Sequence, residues 1–202
     1  MPEVSTAIVV EVDGPIAILR FANPQQRNAL SLATLKQLQI TLDETTNRSE
    51  IKCIIFTGSD DVFASGANIR DLTRLNAKSA EEFSRFGQGL FQTIADATQL
   101  TIAAINGYCM GGAMDLALAC DIRVASPNAV FAHPGARLGI ITGWGGTQRL
   151  PRVVGRTAAL DLLLTAKRIN ADDALRLGLV TQLASDPVNK ALSLFQQTLQ
   201  IA

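Results

Sequence analysis

Ile105–Ser126 reads INGYCMGGAMDLALACDIRVAS, and the order of residue types in it carries most of the fold. An apolar run, Leu100–Ile105, arrives at Asn106 and Gly107. Three glycines, Gly107, Gly111 and Gly112, then precede an apolar helical run, and Asp121–Ser126 resumes β-rich sequence. A buried strand, a glycine turn, a helix and another strand form the unit of a parallel crossover, which predicts an α/β architecture. Asp115 sits inside that apolar run. An unpaired buried carboxylate costs several kcal/mol or takes up a proton, so the residue implies either an exposed helix face or a cavity where the acid is used.

Similar units lie on either side. Upstream, Ala7–Val12 and Ile16–Phe21 are β-rich and separated by Asp13, Gly14 and Pro15, a hairpin signal. Ser31 is a candidate N-cap for a helix with Leu32, Leu35, Leu38 and Leu42 at helical spacing. Ile51–Gly58 is a continuous apolar strand, Phe63–Leu72 a small-residue loop entering a helix, and Ala80–Thr98 a longer helix. Downstream, short strands are expected at Asp121–Ser126 and Ala129–His133. Helices follow through Ala171–Leu177, then a strand at Leu179–Leu183 and a last amphipathic helix after Pro187. Linker, low-complexity tract and short repeat are all missing from the pattern.

The 202 residues, 48% of them hydrophobic, suffice for a single domain spanning 1–202 with one buried core. Lys plus Arg and Asp plus Glu both number 18, so no net field draws nucleic acid or a membrane surface. Cys53, Cys109 and Cys120 lie in apolar stretches without metal-ligand spacing, which implies buried thiols and no metal. The N-terminus lacks a signal-peptide pattern and no apolar run approaches the ~20 residues of a membrane span, so a cytoplasmic protein is expected. Neither GxGxxG nor GxxxxGK[ST] occurs, which disfavours nucleotide binding by a Rossmann turn or P-loop.

Two loops share one chemical character: Ser65–Asn68 (SGAN) and Met110–Ala113 (MGGA), each following a buried strand and entering a helix. Exposed N–H groups at a helix start suit a developing negative oxygen, and two such loops face to face would form an oxyanion hole. With their flanks, Phe63–Ile69 (FASGANI), Ile105–Ser126 and Leu138–Arg156 (LGIITGWGGTQRLPRVVGR), the chain resembles the enoyl-CoA hydratase/isomerase (crotonase) family. Gln25–Ser31 (QQRNALS) and Asp173–Val180 (DALRLGLV) also match, so the resemblance extends from Ala7 to Val180.

The resemblance implies a spiral of ββα turns followed by C-terminal helices, here shortened at 187–202, and assembly as a homotrimer or hexamer. It implies an acyl-CoA substrate, coenzyme A being part of the thioester rather than a permanent cofactor. The thioester enolate would be held by the backbone N–H groups of Ala67 and Gly112. CoA is expected along Arg27–Ala29 and Ala64–Ile69, with Arg27 and Arg70 as candidate phosphate contacts. Trp144 is placed either in the acyl pocket or in the core.

In the family's hydratases two glutamates divide the acid and base work. The first position holds Asp115 here, a shorter carboxylate also found in members that move double bonds. The second should follow the proline of Ala132–Gly135 (AHPG), and Gly135 stands there instead. One carboxylate can shuttle a proton between two carbons, but it weakens ordinary hydration. His133, the only histidine, is the remaining acid–base candidate, against a purely packed side chain. Asp121 and Arg123 are expected to pair structurally. A catalytically degenerate acyl-CoA-binding protein is the alternative. Nucleic-acid binding, known for an unusual relative, lacks a basic patch.

Overall fold

The computed structural model describes residues 7–200. β1 (Ile8–Asp13) and β2 (Ile16–Phe21) form the expected antiparallel hairpin, with Asp13 opposite Ile16 across Gly14 and Pro15. Gly14 takes φ +54°, open to glycine at little cost. α1 (Leu32–Thr46) begins where expected, with Ser31 Oγ accepting from Thr34 N at 3.1 Å, and buries Leu35, Leu38 and Leu42.

β3 (Cys53–Thr57), β5 (Leu100–Ile105), β7 (Ile122–Ala125) and β10 (Gln182–Leu183) extend the hairpin into a six-stranded sheet of order β1-β2-β3-β5-β7-β10, parallel beyond β1. The central strands β2, β3, β5 and β7 are covered on both faces, whereas β1 is exposed beyond Ile8, and alternation sorts the side chains. Ile54, Phe56, Ala103 and Ile105 join the main core with α1 and with the helix over Gly112–Ala119, whereas Cys53, Ile55, Ile102 and Ala104 pack beneath α8 (Pro187–Leu199) with Ala191 and Phe195.

A second, four-stranded sheet has the order β4-β6-β8-β9, built from β4 (Val62–Ala64), β6 (Tyr108–Met110), β8 (Val130–Ala132) and β9 (Ile169–Asn170). Three main-sheet strands, β3, β5 and β7, are each followed by a short strand of the second sheet. β3 leads to β4, then α2 (Ile69–Leu72) and α3 (Ala77–Ala95); β5 leads to β6 and α4 (Gly112–Ala119); β7 leads to β8. This is the ββα spiral that the resemblance implied. α5 (Gly146–Val154), α6 (Arg156–Thr165) and α7 (Ala171–Arg176) complete the order.

Three expectations need correction. β4 and β6 replace stretches taken as loop, because three-residue strands leave almost no alternation to detect. The helix expected over Ala80–Thr98 runs over Ala77–Ala95, since Asn76 and Ser79 form a reciprocal capping box and Asp96 ends the helix. Asp121 and Arg123 do not pair with each other. Asp121 Oδ2 accepts from Thr101 N and Oγ1, both at 2.8 Å, while Arg123 donates to the carbonyls of Leu179 at 2.8 Å and Cys120 at 2.7 Å.

Candidate active site

The spiral places the ends of β4, β6 and β8 side by side, and the loops leaving them define a cavity of about 1110 Å³. Gly66 (φ +84°) turns the first loop. A Cβ on it would meet Met110 O at 2.5 Å and Gly112 N at 3.0 Å, so the SGAN and MGGA loops touch because residue 66 has no side chain. Leu30 N donates to Gly66 O at 2.8 Å and Ser65 N to Arg27 O at 3.1 Å, which ties the Arg27–Leu30 segment to the same loop. Gly111 N donates to Ala132 O at 2.8 Å, anchoring the second loop to β8. The amides of Ala67 and Gly112 take no part in the hydrogen bonds that hold these loops together, and both residues line the cavity.

Asp115, in the first turn of α4, is 1% exposed yet reaches the cavity. His133 Nε2 lies 3.0 Å from its Oδ1, and Thr142 Oγ1 donates to its Oδ2. Asp115 is thus buried with partners, one for each carboxylate oxygen. His133 is buried too, at 5% exposure, but it is joined to the acid rather than packed away from it. Thr142 was not singled out from the sequence. Its only signal is a hydroxyl in an otherwise apolar Gly139–Gly146 loop, too weak to locate a partner 27 residues away.

Gly135, where the resemblance puts a second glutamate, is buried and lines the cavity. The main chain has closed around it. Ile140 N donates to Gly135 O at 3.0 Å, and a Cβ at 135 would sit 2.7 Å from Ile140 O. Trp144 is both things the sequence left open: 4% exposed and part of the core, yet also a wall of the cavity. Its ring meets Phe83 and Phe91 edge to face at 5.2 and 5.6 Å, and Gly112 and Gly87 give it room, a Cβ on either falling within 2.3 Å of the indole.

Of the remaining candidates, Ala29, Ile69 and Arg70 line the cavity. Ala64 and Arg27 do not. Ala64 is fully buried as the last residue of β4, where it pairs with Cys109 of β6. Arg27 (φ +51°) turns away from the cavity and stacks over the Tyr108 ring at 5.1 Å, in an adjoining pocket of about 320 Å³ that Arg137 and Arg168 also line. Asn28, also missed, is 2% exposed in a left-handed conformation, and its Nδ2 donates to Val62 O at 2.8 Å. Burial pushes the Cys109 thiol well up, helped by the nearby Asp115 charge. Among the described residues no group of three potential metal ligands occurs, and no helix is long and apolar enough to cross a membrane.

Residues 11–201 match the model of the Enoyl-CoA hydratase/isomerase family. The chain is 39% identical over 176 residues to a short-chain-enoyl-CoA hydratase of Clostridium acetobutylicum, covering 87% of this chain and 67% of that one. It is 42% identical over 176 residues to a crotonyl-CoA hydratase of Syntrophomonas wolfei, covering 87% and 68%. This chain thus spans about two thirds of their length. Among solved structures, an enoyl-CoA hydratase from Thermoplasma volcanium superposes with TM-score 0.92 at 31% identity, covering 98% of this chain and 79% of the other. Pseudomonas aeruginosa DspI gives 0.91 at 32%, covering 99% and 83%. The chain belongs to the enoyl-CoA hydratase/isomerase family.

Proposed function

We propose that this chain acts on an enoyl-CoA thioester through an enolate, with Asp115 as the single carboxylate that moves the proton. One observation carries the proposal: the SGAN and MGGA loops touch at Gly66 and Gly112, and Asp115 lies one helical turn beyond, lining the same cavity. In the reaction the Asp115 carboxylate takes a proton from the carbon alpha to the thioester. The C–H electron pair passes into the enolate, whose oxygen accepts from Ala67 and Gly112 N–H. Preorganised donors of this kind are worth about 3 to 4 kcal/mol of barrier each. Returning the same proton to the γ carbon moves the double bond, with no other reactant consumed.

Isomerisation is the better supported outcome, because Gly135 offers no carboxylate to activate water. Hydration stands as a second reading on the strength of His133, whose Nε2 at 3.0 Å from Asp115 Oδ1 could share the acid and base work. Arg70 on the cavity wall is the candidate cation for the CoA phosphates, with Arg27 in the adjoining pocket as the second. The substrate supplies the CoA, and no permanent cofactor is proposed. Self-association as a trimer or hexamer in a cytoplasmic setting is part of the proposal; the exposed leucines Leu160, Leu164 and Leu175 on α6 and α7 offer apolar surface for the association.

Supplying 3-enoyl-, 2-enoyl- and dienoyl-CoA in turn and identifying the products tests this. Double-bond movement lost in Asp115→Asn supports the leading reading, and 3-hydroxyacyl product from 2-enoyl-CoA supports the second. Tight binding of all thioesters without any turnover would leave only an acyl-CoA-binding protein.

A further inference from the structure

We propose that Thr142 is a positioning residue for Asp115, holding the carboxylate in the direction that proton transfer needs. The proposal rests on Asp115 being the base, as above. The carboxylate is gripped at both oxygens by different parts of the chain: His133, just after β8, at Oδ1, and Thr142, in the Gly139–Gly146 loop, at Oδ2. The same loop shapes the space from a third side. A Cβ on Gly146 would fall 2.1 Å from Asp115 Oδ1 and 2.9 Å from Thr142 Cγ2, so only glycine leaves room for the acid and the threonine together. Without the threonine hydroxyl, Oδ2 loses its partner and the carboxylate can turn about its last torsion. Small misplacements of a reacting group are costly, of order 100-fold for about 1 Å.

The test compares Thr142→Val and Thr142→Ser with the unaltered protein, following kcat and KM for an enoyl-CoA, with Asp115→Asn alongside. Thr142→Val is expected to lower kcat about 10- to 100-fold with KM changed less than about threefold. Thr142→Ser, which keeps the hydroxyl, is expected to recover most of the rate. A Thr142→Val protein with unaltered kcat overturns the positioning role. So does a Thr142→Ser protein as impaired as the valine variant. Turnover that survives Asp115→Asn overturns the base assignment itself, a separate result from either Thr142 outcome.

Discussion

Asp115 is where sequence and structure meet most closely. Its place in an apolar run left two readings, an exposed helix face or a cavity where the acid is used, and the structure buries it with two hydrogen-bond partners and a face on the cavity. His133 was nameable because it is the only histidine and lies two residues before Gly135, but its partner came only with the fold. Thr142 and Asn28 were not legible, since a hydroxyl or amide shows its partner only once distant segments meet. At this scale His133→Gln is expected to reduce turnover more than binding, about 10- to 100-fold in kcat, because glutamine cannot trade a proton with Asp115. Steady-state kinetics on the variant check this. Gly135→Glu is expected not to create a two-glutamate hydratase, because its Cβ would meet Ile140 O at 2.7 Å. Instead it should lower the melting temperature and leave hydration no faster, as thermal denaturation and a hydration assay would show.

Among elements, long periodic ones were legible from the sequence and short ones were not. α1, the β1–β2 hairpin and β3 stand where spacing and turn residues put them. β4 and β6 are too short to show alternation, yet they carry the two glycine loops to each other. Asn28 fastens the Arg27–Leu30 segment to β4: its side chain donates to Val62 O and Phe63 O and accepts from Asn23 N at 2.9 Å. Asn28→Ala would strand those buried groups and put alanine in a left-handed conformation, at a cost of about 2 to 4 kcal/mol. Chemical denaturation of the variant should show a lower midpoint. Because Leu30 also bonds Gly66, a weaker thioester KM is expected alongside.

For the whole molecule, the repeating ββα unit escaped detection in the sequence because its turns differ in length and composition, with α2 and α3 in one turn and α4 alone in the next. The resemblance implied the spiral; residue patterns alone reached only α/β. The double-sided burial of β3 also governs the response to alkali. Burial pushes the Cys53 thiol up to about 12, and those of Cys109 and Cys120 also upward, from the ordinary value of 9.0. Unfolded chains therefore release these protons first, and stability present below pH ~9 is lost as pH rises toward the folded values. The denaturation midpoint should fall across that interval. Thiol reagents at pH ~8 should label none of the three cysteines in the folded protein and all of them in denaturant.

The central claim is that one carboxylate, beneath two touching loops, makes and unmakes an enolate. Its most direct measurement is exchange of the α-proton of a saturated acyl-CoA with deuterium oxide, followed by NMR, for the unaltered protein and for Asp115→Asn. Exchange catalysed by the protein and reduced at least 100-fold by the substitution is the predicted result. Exchange that proceeds equally well with asparagine at position 115, or that never occurs although the thioester binds, would contradict it.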